Sequence, residues 1–245
     1  MTDNKYKVIF LHFVKTGGSS IENYFGKGDG YAETILTLSN GQKRLIREQH
    51  HFSSKQYVQT NGKDVWDDCY KFSFVRNPWD WFVSHFFHDI KQYKVNQKLR
   101  RPQKYRRTFI VDECNSDFKT YVKKGMQRPD WFKFPSMKEY SEGVDFIGKF
   151  ESLQSDFDYV CNQIGAPVKK LAHLKKPDPR GHYSSFYDEE SKEHVYNLMK
   201  QDIEHFNYNF EKEWRHMISL EKKFIYVHIP KTGGTSIEKA LKLSG

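Results

Sequence analysis

A chain of 245 residues with 37% hydrophobic and 16% aromatic content can bury a full core, much of it built from Phe, Tyr and Trp. No run approaches the roughly 18 apolar residues of a membrane span. No secretory leader is legible after Met1, and the three cysteines (Cys69, Cys114, Cys161) form neither a metal spacing nor a disulfide framework, so a reducing, cytoplasmic setting is expected. The net charge of +9 is local: Lys91 to Arg107 holds eight Lys/Arg and no acid, and without them the balance is +1, which removes the pI as an argument for nucleic-acid binding.

In chain order, Val8 to Phe13 is a short apolar run closed by a turn and predicts a buried strand. Gly17 to Phe25 predicts a helix, and residues 26–45 a Gly-rich irregular segment. Tyr70 to Val75 is aromatic and β-branched and predicts a second strand. Pro78 sits where proline opens a helix, and Trp81, Phe82, His85 and Phe86 give that helix an apolar side to about Gln92. Residues 93–112 read as a loop or frayed helix, and 113–142 as aromatic, polar chain punctuated by Pro129 and Pro135. Asp145 to Phe150 predicts a third strand, Ser152 to Ile164 a helix closed by Gly165, and Asp188 to Phe206 one amphipathic helix with acids in its first turn. Strands alternating with helices predict an α/β fold with a central, mainly parallel sheet flanked by helices.

One segment occurs twice. Val8 to Glu22 contains His12-Phe-Val-Lys15-Thr16-Gly17-Gly18-Ser19-Ser20-Ile-Glu22; Phe224 to Glu238 contains His228-Ile-Pro-Lys231-Thr-Gly-Gly-Thr-Ser-Ile-Glu238. Each copy is an apolar run, a Lys-Thr-Gly-Gly turn and a helix-like start. This is not a Walker A loop, in which Lys follows the glycines. The physics is related: glycines let backbone N–H groups approach an anion, a helix N-terminus adds its positive end, Thr16, Ser19 and Ser20 add hydroxyls, and Lys15 adds a mobile charge. A single copy could be an ordinary strand-to-helix turn; its recurrence favours phosphate binding. A second motif, Arg76-Asn-Pro-Trp-Asp-Trp-Phe-Val-Ser84, places an Arg fork at a strand end and a hydroxyl on the next helix, suited to a second phosphate.

Together these residues resemble the sulfotransferases. Lys15 to Ser20 looks like their 5'-phosphosulfate loop, and Arg76 to Ser84 like their 3'-phosphate motif. Val144 to Glu151 and Tyr183 to Asp188 are similar to segments of the carbohydrate branch that includes the HNK-1 and chondroitin enzymes. The resemblance spans about residues 7–210. It implies a P-loop-NTPase-like α/β fold, a 3'-phosphoadenosine 5'-phosphosulfate donor, transfer to a hydroxyl of a carbohydrate acceptor, and no metal. It places Lys15 on the 5'-phosphate and bridging oxygen, Thr16, Gly17, Gly18, Ser19 and Ser20 around the phosphosulfate, and Arg76 and Ser84 on the 3'-phosphate. The chain departs from the family at Val14 (usually Pro, kept as Pro230), Trp81 (often Arg) and Lys149 (often Arg).

The reaction needs a base for the acceptor hydroxyl and a cation for the departing phosphate. Lys15 suits the second task. His51 is the candidate base, aligning with a family histidine between the phosphate motifs, with His50 one step away; His12 and His228 read as strand-end residues. The basic stretch suggests recruitment of an anionic acceptor, and no nucleic-acid partner is expected. Residues 1–215 read as the sulfotransferase domain and 216–245 as a linker plus the start of a second, truncated repeat. The alternatives are a nucleotide-dependent phosphoryl transferase, set back by the missing Walker A, and a non-catalytic module with a degenerate donor pocket.

Overall fold

The computed structural model describes residues 1–26, 32–48, 51–126, 136–172, 181–210, 216–219 and 224–227. In chain order the elements are β1 (Thr2–Asp3), β2 (Val8–Leu11), α1 (Gly18–Tyr24), β3 (Ala32–Thr37), β4 (Lys43–Glu48), α2 (Ser54–Asn61), α3 (Lys63–Asp68), β5 (Tyr70–Val75) and α4 (Pro78–Lys98). There follow α5 (Tyr105–Thr108), a π-helical turn (Phe109–Glu113), α6 (Phe118–Met126), α7 (Met137–Tyr140), β6 (Phe146–Lys149) and a 3-10 turn (Phe150–Ser152). The chain continues through α8 (Leu153–Gln163), a 3-10 turn (Tyr183–Phe186), α9 (Glu189–Leu198), α10 (Lys200–His205), β7 (His216–Ser219) and β8 (Phe224–Val227).

The central sheet has the order β1-β2-β5-β6. β2, β5 and β6 run parallel and β1 pairs antiparallel to β2, so the fold is α/β with a mixed four-stranded sheet. Alternation along β2 sends Val8 and Phe10 to one face, against Ile21 of α1 and Phe157 and Val160 of α8. Ile9 and Leu11 point to the other, where α4 brings Trp81, Phe82 and Phe86, and Tyr57, Tyr121 and Tyr140 complete a largely aromatic core. Cross-strand packing explains Gly148: a Cβ there would lie 2.7 Å from Cζ of the Phe74 ring on β5. All three cysteines are reduced and buried.

Three expectations are corrected, and one stretch without a prediction proves helical. Residues 26–45 are not wholly irregular, because β3 and β4 form a hairpin closed around Gly41, whose φ is +84°. Its signal is masked because Ile35 and Leu45, directly paired, face solvent, whereas Leu36 and Ile46 are buried. The helix after Pro78 runs past Gln92 to Lys98, so the first half of the basic stretch is helical. Residues 188–206 form two helices, broken at Met199. Residues 54–68 carry α2 and α3, the first opened by a Ser53–Gln56 capping box.

The apolar run of the second copy is a strand, β8, paired antiparallel with β7 in a separate sheet. Its loop and helix-like start, residues 228–245, lie outside the described residues, as does His50. Among the described residues no helix is long and apolar enough to cross a membrane.

Candidate functional site

Because β2, β5 and β6 are parallel, their C-terminal ends share one edge of the sheet, where α/β folds place their ligands. The segment after β2 carries Lys15 to Gly18, the segment after β5 carries Arg76, and the one after β6 carries Phe150. Sequence distance is thereby cancelled: the Arg76 guanidinium donates to the Lys15 carbonyl at 3.0 Å and to Ser84 Oγ at 3.1 Å. It also binds Asp80 through Nε at 2.8 Å and through its second terminal nitrogen at 2.7 Å, and it stacks 4.0 Å over the Phe150 ring. Three of its five N–H groups make hydrogen bonds here, and the second terminal nitrogen, paired with the Asp80 carboxylate, carries the other two.

The loop is held in a strained form. Lys15 has φ +66°, a left-handed conformation that costs a non-glycine residue about 1–3 kcal/mol. The carbonyls on both sides of that residue's torsions are tied down. Trp81 Nε1 donates to the Val14 carbonyl at 2.7 Å and Arg76 to the Lys15 carbonyl, bonds of about 0.5–1.5 and 1.5–3 kcal/mol that offset the strain. Trp81 is therefore a loop anchor. Gly17 (φ +86°) caps α1 without help from a side chain. The buried Thr16 hydroxyl donates to the Phe13 carbonyl at 2.7 Å, so it closes the turn and has no proton left for an anion. Ser20 N–H bonds the Gly17 carbonyl at 3.0 Å.

Histidines surround the loop. Nδ1 of His51 lies 2.8 Å from the carbonyl of His12. A carbonyl only accepts, so Nδ1 carries the hydrogen and Nε2 of the neutral ring carries the lone pair. His51 itself sits at φ +62°. The buried Tyr140 hydroxyl donates to the same His12 carbonyl at 2.8 Å; burial, with the Glu22 charge behind it, pushes that phenol's pKa upward. On α4, one turn beyond Ser84, His88 is pushed down to about 4 by burial and then by the Lys15 charge, against the pull of Asp89. Asp89 is buried and bonded by Arg107 Nε at 3.2 Å.

The structure thus gathers the Lys15 loop, Arg76 and Ser84, and sets His51 against the residue that leads into the loop. The Lys149 ammonium sits on the Phe206 carbonyl at 3.2 Å and over the Tyr208 ring. No sequence motif shows the contacts that Trp81, Glu22, Tyr140 and His88 make here. For Glu22 a signal exists, since the His-to-Glu spacing of ten is the same in both copies.

The profile of the Sulfotransferase family matches residues 1–209. An uncharacterized protein of Archaeoglobus fulgidus is 30% identical over 106 residues, which are 43% of this chain and 76% of that relative. No solved structure matches the chain. With the family's match running through the loop, Arg76, Ser84 and all strands of the central sheet, the chain belongs to the Sulfotransferase family.

Proposed function

We propose that this protein transfers a sulfuryl group from 3'-phosphoadenosine 5'-phosphosulfate to a hydroxyl of a carbohydrate acceptor, on a P-loop-like scaffold. The observation that carries the proposal is the Arg76 guanidinium bridging the Lys15 carbonyl and Ser84 Oγ, which joins the two phosphate motifs. Lys15 contacts the 5'-phosphate and the bridging oxygen. The backbone of Thr16, Gly17 and Gly18 and the first turn with Ser19 and Ser20 cradle the phosphosulfate. Arg76, through its second terminal nitrogen and its charge, and Ser84 take the 3'-phosphate.

The acceptor oxygen attacks sulfur, the bond from sulfur to the bridging oxygen breaks, and the proton passes to Nε2 of His51. The electron pair stays on the departing 5'-phosphate, where Lys15 meets the charge as it forms. The acceptor is anionic: Lys91, Lys94, Lys98, Arg100, Arg101 and Lys104 are exposed and have no acidic partner among the described residues. They begin about 10 Å beyond Ser84 along α4, counting about 1.5 Å per residue.

Calorimetric titration with 3'-phosphoadenosine 5'-phosphate tests the donor site. Micromolar binding is expected, lost in Lys15→Ala plus Arg76→Ala; absence of binding in the wild type would refute it. His51→Ala should keep that binding and lose about 10²–10⁴ in turnover. One observation favours a non-catalytic module instead: Asp80 holds two of Arg76's donors. That alternative requires binding with no transfer of labelled sulfate to any acceptor.

A further inference from the structure

His12 makes two kinds of contact at once. Its Nδ1 lies 2.9 Å from Glu22 Oε1 in a buried pair that ties the end of β2 to α1. Its carbonyl accepts from His51 Nδ1 and from Tyr140. Its ring stacks on Phe10 and meets the edge of His51, with centroids 5.7 and 4.9 Å apart.

Gly18 completes the arrangement. Its φ is not in the left-handed region, unlike that of Gly17, so backbone freedom does not explain it. A Cβ at Gly18 would instead collide with Cδ2, Nε2 and Cγ of the His12 ring. The imidazole occupies the volume that any side chain there would need. The ring's Nε2 edge is thus packed on the first turn of α1 while Nδ1 is held by the carboxylate on its second turn. Histidine, glycine and glutamate act as one interlocking set. The second copy repeats it: His228, Gly234 and Glu238 keep the same separations of six and ten residues as His12, Gly18 and Glu22.

We infer that His12 is a positioning residue that latches α1 to β2 through its side chain and sets the tautomer of His51 through its main chain. The donor loop and the acceptor base are thereby aligned by one residue. His12 is not itself the base: only about a tenth of it is exposed, and its Nε2 faces Gly18 rather than an open path to a hydroxyl. This inference rests on the sulfuryl-transfer proposal for its rate measurements, but not for its test of the interlock.

A double-variant cycle on His12→Ala, Gly18→Ala and their combination tests the steric part, read as affinity for 3'-phosphoadenosine 5'-phosphate and as midpoint of thermal unfolding. Gly18→Ala alone should weaken binding about tenfold or more and lower the midpoint. In the His12→Ala background, with the ring gone, the same change should add little. Effects that simply add would overturn the latch. If the wild type binds none of this nucleotide, the donor assignment falls, and the unfolding cycle alone still decides the interlock.

His12→Asn tests the polar part and protects against a misfolded alanine variant. Its amide N–H can replace Nδ1–H toward Glu22, and its backbone still orients His51. It should lose less than tenfold in kcat and keep the acid limb of the pH–rate profile. A loss matching His51→Ala, with a displaced acid limb, would make His12 the base and overturn the positioning role.

Discussion

Replacing Trp81 by Phe isolates the anchor on the loop's strained residue. The change removes the 2.7 Å bond to the Val14 carbonyl, and orphaning a partly buried acceptor costs about 1–3 kcal/mol. The lost indole volume, about 40 Å³ at about 24 cal/mol per Å³, adds about 1 kcal/mol. The sum of about 2–4 kcal/mol corresponds to a fall in Tm of about 5–15 °C for a domain of this size. Lys15 also loses one of the two tethers that hold its φ at +66°, so nucleotide affinity should fall, tenfold for each 1.4 kcal/mol of restraint released. Trp79→Phe is the matched control, since its indole also donates to a carbonyl, that of Lys192 at 3.0 Å, away from the loop. Denaturant unfolding and calorimetry on both variants give the comparison. A destabilisation below about 1 kcal/mol, or an affinity loss no greater than that of Trp79→Phe, would refute the anchoring role.

Gly148→Ala forces a methyl group into the Phe74 ring and should destabilise by about 1–3 kcal/mol; an unchanged denaturation midpoint would show that the strands separate freely. His88 resists protonation in the folded protein until about pH 4, against a reference of 6.5. The unfolded chain therefore binds more protons within that window, and stability must fall as the pH drops through it. His88→Gln should show a shallower loss of Tm between about pH 7 and 4.5, whereas parallel curves would count against this titration. Lys91→Glu with Lys94→Glu and Lys98→Glu should raise the KM for an anionic acceptor and flatten its salt dependence while leaving nucleotide binding intact; an unchanged KM would remove the basic stretch from acceptor recruitment.

The elements that position the site were legible because they obey local rules. β2 and β5 are short apolar runs ended by turns, and Pro78 at the first turn of α4 opens that helix where proline is tolerated. The β3–β4 hairpin was not legible, since the Ile35–Leu45 pair faces solvent and breaks the alternation that marks a strand. The Lys15 loop, Arg76 and Ser84 could be named from their motifs. What holds them could not, because it depends on contacts across the sheet: Trp81 reaches back 67 residues to Val14, and Tyr140 reaches 128 residues to His12. A tryptophan at helical spacing reads as core, and the partner of its N–H is a property of topology.

The buried cysteines make the native protein a reporter of its own opening. Burial, with the nearby Asp68 charge, pushes the Cys69 thiol up to about 11, and burial raises Cys161 as well. At neutral pH a thiol-directed reagent must therefore wait for the chain to part locally before a thiolate can react. The three thiols sit between α3 and β5, at the end of the π-helical turn, and on α8 beneath the sheet. Their separate labelling rates would measure the free energy of opening at three places without a single substitution. Saturating nucleotide should then reveal which of these places breathes with the loop.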